Sequence, residues 1–235
     1  MSEGKILAKR RSVYERTFDF DGLLVDTEKV YFDGWLALFK KYQLPITAAD
    51  IFGWRGQSWQ QTASKLADLV GGQQRVQELR AEREVYIAQQ ITDGTFKTKP
   101  YAKETIALAR EKGFQTALAT STMKKRASEL LAHFDLLQAF DYQTFGDDVS
   151  AHKPDPAPYL LTLEKAQVAA EKALVMEDSL VGATAATRAE IDVVLIPDQS
   201  FDQVYSPEEK AGLQLYGEAT SLKYVYDLLA KDQLK

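Results

Sequence analysis

The fold of this chain is decided by one stretch, Phe18-Asp-Phe-Asp-Gly-Leu-Leu-Val-Asp-Thr-Glu28. It places two carboxylates, Asp19 and Asp21, among large apolar side chains, and Gly22 follows them directly. We predict that a buried strand ends here and delivers both carboxylates to the edge of a sheet. In an open parallel sheet that edge is where ligands bind.

The sequence from Pro100 onward alternates helical patterns with short apolar strands. Such alternation is typical of right-handed βαβ units, which build a parallel sheet. The strands are predicted over residues 114–119, 142–145, 173–176 and 193–196, and the helices over residues 102–111, 124–132, 158–166, 180–189 and 221–229.

The sequence between these two regions has a helical pattern throughout. Phe32, Trp35, Leu36 and Phe39 follow the spacing i, i+3, i+4 and i+7, so they share one helix face. The pattern returns further along, and a chain of 235 residues can hold one core and a smaller inserted domain. We therefore predict an α/β fold in which residues 1–28 and 99–235 form a Rossmann-like core with a parallel sheet, and residues 29–98 form a helical cap.

Polar residues follow four of the five predicted strands of the core. The first strand ends at the two aspartates, and the others lead to hydroxyls, an amine and two more carboxylates, namely Thr120-Ser121, Lys153 and Glu177-Asp178. Turns often carry Asp and Ser for local reasons, so one such group means little. Four groups at one edge of a sheet indicate a functional site.

The chemistry of these groups points to a metal ion and a bound anion. Several carboxylates cannot all stay ionised in one cleft without a cation, and Mg²⁺ prefers oxygen ligands. The chain has no cysteine and only two histidines, which excludes thiolate and multi-histidine metal sites. Lys153 and the Thr120 hydroxyl remain to hold an anion. Together these groups suit phosphoryl transfer, in which a carboxylate attacks phosphorus and a second one moves the proton.

The motifs carrying these groups resemble those of the haloacid dehalogenase superfamily of hydrolases, most closely the branch of β-phosphoglucomutase and small sugar-phosphate phosphatases. The resemblance spans roughly residues 18–197, with a cap inserted after the first motif. Beside the first motif, it rests on Leu118-Ala-Thr-Ser121, Lys153-Pro-Asp-Pro156 and Met176-Glu-Asp-Ser179.

The resemblance implies a role for each site residue. Asp19 would be the nucleophile and a Mg²⁺ ligand, and Asp21 the general acid and base, with its backbone carbonyl on the metal. Lys153 would neutralise the nucleophile and the phosphate. Thr120 and the Ser121 backbone amide would bind the phosphoryl group. Asp178, assisted by Glu177, would complete the metal site.

In this family the cap covers the site and selects the substrate. The segment 52–58 matches the substrate loop of the cap, which makes Arg55 a candidate substrate contact, since its guanidinium can donate two parallel hydrogen bonds. A solvated arginine at a Gly-flanked turn is an equally good interpretation. Glu28 could reach the leaving group, or could be a surface charge at the hinge.

The choice between a phosphatase and a phosphosugar mutase rests on one position. The mutase pattern has a histidine four residues after the threonine of Asp-Thr, whereas this chain has Tyr31 four residues after Thr27. We therefore predict a phosphatase, with a β-phosphoglucomutase-like mutase as the alternative. A non-catalytic relative is a further alternative, because the segment before Asp19 departs from the family.

That departure concerns Glu15 and Arg16. A central parallel strand is buried on both faces, where charged residues are unfavourable. Either this strand is distorted, or the N-terminal sequence has been altered relative to a natural relative; the sequence alone leaves both open.

Composition limits the partners. The net charge of −5 provides no attraction for nucleic acid or an anionic membrane, and no apolar run reaches the length of a membrane span. The basic N-terminus lacks the apolar stretch of a secretory signal. We expect a cytoplasmic protein, by family resemblance a monomer, acting on a small phosphorylated metabolite.

Overall fold

The computed structural model describes residues 4–6, 14–54, 59–201 and 204–234. The chain divides into two compact units. One unit joins the chain up to Val25 with the chain from Thr98 onward, and the other is Asp26–Lys97.

The first unit is built on a seven-stranded sheet of the order β1-β7-β6-β5-β2-β3-β4. Six neighbouring strands run parallel, and β1 pairs antiparallel with β7 at one edge. This confirms the predicted α/β class and parallel sheet. The strands are β1 Gly4–Ile6, β2 Glu15–Phe18, β3 Gln115–Ala119, β4 Tyr142–Thr144, β5 Ala173–Glu177, β6 Asp192–Leu195 and β7 Leu215–Ala219.

Helices connect β2 to β3, β3 to β4, β4 to β5 and β5 to β6, as βαβ crossovers require. Apolar side chains of β5, β6 and the flanking helices form one continuous buried cluster, which includes Val175, Val193 and Ala186. The helices of this unit are α5 Ala102–Glu111, α6 Lys124–His133, α7 Ala157–Ala166, α8 Leu180–Arg188 and α9 Leu222–Ala230. Each predicted helix and strand of this region is present, with ends shifted by at most one residue.

The polar strand β2 is regular, so the distortion considered from the sequence is wrong. Each of its four residues pairs with both β3 and β5 without a register shift. Glu15 and Arg16 are fully buried. The Thr17 hydroxyl donates to Glu15 Oε1, while Arg16 donates to the Leu234 carbonyl oxygen at 2.6 Å. Side chains alternate along a strand, so these two charges face opposite sides of the sheet.

The second unit is helical. Its buried core contains Trp35 stacked on Phe39 at 5.4 Å, with Leu66 and Leu79 among the other members. The predicted helix face is therefore formed, and Gly71 and Gly72 lie between two of the helices of this unit. Its helices are α1 Thr27–Lys41, α2 Ala48–Phe52, α3 Trp59–Val70 and α4 Gln73–Thr92. In the part of the chain that the structure describes, no helix has the length and apolarity needed to cross a membrane.

Candidate active site

Most of the predicted site residues meet at the carboxyl ends of β2, β3 and β5, with one from the segment after β4. Asp19 follows β2 directly, where its amide donates to the Met176 carbonyl oxygen at 3.1 Å. Thr120 follows β3, and its amide donates to the Thr144 carbonyl oxygen at 3.0 Å. Sheet pairing thus sets the backbone positions of both side chains.

Lys153 is at the centre of the cluster, with only 5% of its side chain exposed. Its Nζ lies 2.6 Å from Asp19 Oδ1 and 2.9 Å from Glu177 Oε1, and it also donates to the Ala119 carbonyl oxygen at 2.9 Å. The ring of Tyr159 lies 4.6 Å from Nζ. The ammonium is therefore oriented by three acceptors and an aromatic face, with one donor aimed at Asp19.

Glu177 holds this cluster together by accepting hydrogen bonds through both carboxylate oxygens. Its Oε1 accepts from Lys153 and from the Tyr159 hydroxyl at 3.1 Å, and its Oε2 accepts from the Ser179 amide and hydroxyl at 2.9 and 3.0 Å. Ser179 is also the N-cap of α8, where its hydroxyl accepts from the Gly182 amide. A Cβ at Gly182 would collide with the Glu177 carboxylate, so glycine is required there.

The charges of this cluster are unbalanced. Burial raises the pKa of the Asp19 carboxyl to about 8, Lys153 opposes the rise, and the Glu177 and Asp21 carboxylates reinforce it. Burial disfavours the charged form of Lys153, but Asp19 and Glu177 outweigh this and raise its pKa well above its usual range. Several buried carboxylates thus share one ammonium, and a second cation would be needed to keep them all ionised.

Three of these carboxylates could hold that cation. Asp19, Glu177 and Asp178 each offer an oxygen, and the three oxygens lie within 4.8 Å of one another. Gly22, at φ +81°, lets the loop after β2 approach so closely that a Cβ there would collide with the Asp178 carboxylate. The donors are all hard oxygens, which fit Mg²⁺.

The Asp21 carboxylate is held by two hydroxyls. Its Oδ2 accepts from Thr122 Oγ1 at 2.6 Å and from Thr120 Oγ1 at 3.2 Å. Its Oδ1 is buried and has no hydrogen-bond partner among the described residues. One carboxylate oxygen is thus held in place by hydrogen bonds, and the other makes none within the described part of the chain.

The remaining predicted residues are placed differently. Ser121 is exposed in the loop between Thr120 and Thr122. Glu28 lies in the first turn of α1, in the helical unit, and is half-buried. Arg55 lies outside the described residues, so its predicted substrate contact stays a prediction.

Sequence reasoning missed three residues of the cluster. Thr122 is two residues after Thr120 in the same polar loop, and this proximity could have singled it out. Ser179 is the N-cap of a helix that follows an acidic pair, a pattern that predicts a cap but not a contact with Glu177. Tyr159 gives no local signal, because it reaches Glu177 from a helix eighteen residues earlier.

Comparison with known proteins relates the chain to one family. The family described as haloacid dehalogenase-like hydrolase matches residues 17–196. A phosphorylated carbohydrates phosphatase of Thermotoga maritima is 35% identical over 182 residues, covering 74% of this chain and 81% of that protein. The fructose-1-phosphate phosphatase YqaB of Escherichia coli is 26% identical over 186 residues, covering 77% and 97%.

A solved structure is also similar to this chain. The crystal structure described as a putative β-phosphoglucomutase from Thermotoga maritima superposes with a TM-score of 0.77 and 27% identity, covering 93% of this chain and 99% of that one. The similarity extends over both the sheet-containing and the helical parts of the sequence.

Proposed function

Because the chain belongs to the haloacid dehalogenase-like hydrolase family, we propose that it is a magnesium-dependent phosphatase of a small phosphomonoester, with Asp19 as nucleophile. Family membership and phosphatase relatives make it a phosphoric monoester hydrolase. The observation that carries the residue assignment is the arrangement of Asp19 and Asp21. One carboxylate is oriented by a buried lysine, and the other, two residues on, has one oxygen unpaired.

In the first step a carboxylate oxygen of Asp19 attacks phosphorus. An oxygen–phosphorus bond forms, and the bond between phosphorus and the ester oxygen breaks. The electron pair stays on the ester oxygen, which takes a proton from Asp21 and leaves as the alcohol. The product on the enzyme is an aspartyl-phosphate. Lys153, 2.6 Å from Asp19, neutralises charge on the nucleophile and the phosphoryl oxygens.

In the second step water replaces the aspartate. The water oxygen bonds to phosphorus while Asp21, deprotonated in the first step, takes a water proton. The bond between phosphorus and Asp19 breaks, and the electron pair returns to the carboxylate. Inorganic phosphate leaves, and both aspartates are restored to their starting states. Thr120 and the Ser121 amide would bind the phosphoryl oxygens in both steps.

A Mg²⁺ ion would be held by the carboxylates of Asp19 and Asp178 and by the Asp21 carbonyl, and it would neutralise charge on the nucleophile and the phosphoryl group. The four hydrogen bonds that Glu177 accepts support an assisting role for it, in which it orients Lys153 and the loop before α8. Two observations support a Mg²⁺ ion at this site: the three clustered oxygen donors and the raised pKa of Asp19.

The substrate we propose is a sugar phosphate. The relatives named above act on phosphorylated carbohydrates and on fructose 1-phosphate. A mutase is not favoured, because the mutase histidine position is taken by Tyr31, whose ring lies 4.8 Å from the Arg83 guanidinium within the helical unit. Arg55 and Glu28 are the proposed substrate contacts of that unit.

The test is phosphate release from a panel of hexose, pentose and polyol phosphates, with Mg²⁺ or with EDTA. We expect turnover only with Mg²⁺ and its loss in Asp19→Asn, with Asp135→Asn, which alters a side chain 88% exposed, as the matched control. Acid quench with ³²P-labelled substrate should trap protein-bound label that hydroxylamine releases. Turnover that survives Asp19→Asn, or no turnover on any substrate, would contradict the proposal.

A further inference from the structure

The loop after β3 offers two threonine hydroxyls to the proposed acid and base, and they are not equivalent. Thr122 Oγ1 lies 2.6 Å from Asp21 Oδ2, and Thr120 Oγ1 lies 3.2 Å from the same oxygen. The Thr120 oxygen itself accepts from the Thr122 amide at 3.0 Å. Thr122 therefore makes the shorter contact with Asp21 and also helps to orient the second hydroxyl.

We propose that Thr122 is a positioning residue that keeps Asp21 aimed at the leaving group; this rests on the function proposed above. Hydroxyl donors on Oδ2 fix the rotation of the carboxylate. The other oxygen, Oδ1, is buried and without a hydrogen-bond partner in the described part of the chain, so it is the oxygen that exchanges the proton. Thr122 does not itself touch the reacting atoms.

The two hydroxyls donate to different acceptors once substrate is bound. A threonine hydroxyl has one proton to donate. Once Thr120 donates to a phosphoryl oxygen, as proposed, it no longer donates to Asp21. Thr122 is then the hydroxyl that holds Oδ2 while the bond to the leaving group breaks.

The backbone of Thr122 is well placed for this task because a neighbouring loop supports it. Its carbonyl oxygen accepts from the Gly146 amide at 2.9 Å, and the Lys124 amide donates to Asp147 Oδ1 at 2.7 Å. A Cβ at Gly146 would collide with the Ser121 carbonyl, so the two loops are in close contact. The position of the Thr122 hydroxyl is thus set from both sides of the residue.

A positioning role for the acid predicts dependence on the leaving group. An alkoxide leaving from a sugar phosphate needs a proton as the bond between phosphorus and oxygen breaks, whereas p-nitrophenolate leaves without one. The ratio kcat/KM reports only steps up to release of the alcohol, so it excludes the later hydrolysis step in which Asp21 acts as base. A purely structural defect would lower kcat/KM for both substrates by the same factor.

The experiment compares Thr122→Val, Thr122→Ser and the wild type on glycerol or hexose phosphate and on p-nitrophenyl phosphate. We expect Thr122→Val to lower kcat/KM for the alkyl phosphate by about tenfold or more relative to p-nitrophenyl phosphate, which is part of the roughly 10²- to 10⁴-fold that general acid catalysis contributes. Thr122→Ser, which keeps the hydroxyl, should restore most of that ratio. Thr105→Val on α5 is the matched control, because it removes a buried hydroxyl that donates to the Tyr101 carbonyl at the start of that helix.

Equal losses on both substrates in Thr122→Val, or no loss, would overturn the positioning role. Crystal structures of the wild type and Thr122→Val provide a readout independent of activity. A rotated Asp21 carboxylate in the variant supports the proposal, and an unmoved one refutes it. A wild type without turnover on any phosphomonoester would refute the proposed function instead, and the two structures would still decide whether Thr122 orients Asp21.

Discussion

Replacement of Glu15 by glutamine should make the sheet unit more resistant to alkaline pH. Glu15 is fully buried in β2, and burial raises its pKa from 4.5 to about 7, against the Thr17 hydrogen bond and Arg16, which lower it. Because the folded-state pKa is raised, this group's contribution to stability is greatest below pH 4.5 and is lost as pH rises through about 7. Glutamine has no carboxylate to ionise, so it removes this loss.

The magnitude follows from the two pKa values. With 1.36 kcal/mol per pKa unit, the cost of keeping Glu15 buried is about 1 kcal/mol at pH 5 and about 3 kcal/mol at pH 8. Glutamine also introduces an amide where Oε2 has no partner among the described residues, a cost that does not vary with pH. The quantity to compare is therefore the change in the variant-minus-wild-type difference between these pH values, about 2 kcal/mol.

The assay must report on the sheet unit. All three tryptophans, Trp35, Trp54 and Trp59, lie in Asp26–Lys97, so their fluorescence reports on the other unit. Hydrogen exchange of peptides that cover β2, β3 and β5 measures the relevant free energy of opening. Glu111→Gln, at an exposed position on α5, is the control. A difference between Glu15→Gln and wild type that stays constant from pH 5 to pH 8 would refute the reasoning.

Two further predictions concern the candidate site. Gly182→Ala should lower the free energy of unfolding by about 2 kcal/mol, because the new methyl group collides with the Glu177 carboxylate and must displace it; Ala183→Gly on the same helix is the comparison, and equal losses in chemical denaturation would exclude the collision. Mg²⁺ at a hundredfold its dissociation constant should stabilise the wild type by about 2.7 kcal/mol. In thermal denaturation, Asp178→Asn should largely abolish the rise in melting temperature that Mg²⁺ causes in the wild type. An unchanged rise would mean that the ion binds elsewhere.

The fold class and the central site residues could be predicted because both depend on local patterns. Strands β5 and β6 are short, mainly apolar runs, and Asp19, Thr120 and Asp178 directly follow the ends of their strands. The helix Ala102–Glu111 shows the same, since Gly113 after its end takes φ +84°, a conformation that glycine favours. Such signals need no knowledge of the rest of the chain.

Strands β1 and β7 and the remote contacts could not be predicted, because their signals are not local. Strand β7 includes Gly217 and Glu218, a weak strand pattern, and it forms because it pairs with β6 and β1. Tyr159 shows no more than helical apolar spacing, yet its hydroxyl reaches Glu177. Thr122 was within reach of sequence reasoning, but only the distance to Asp21 distinguishes it from other loop hydroxyls.

The polar start of β2 is compatible with an ordered nucleophile because strand pairing depends on the backbone. Glu15 and Arg16 cost stability through burial, but their backbone pairs with β3 and β5 in the same register as Phe18. The Asp19 amide still donates to the Met176 carbonyl oxygen, so the nucleophile is held by the strand end and by Lys153. The cost of the buried charges therefore falls on the folding free energy, and Glu15→Gln should change the pH dependence of stability while leaving the position of Asp19 intact.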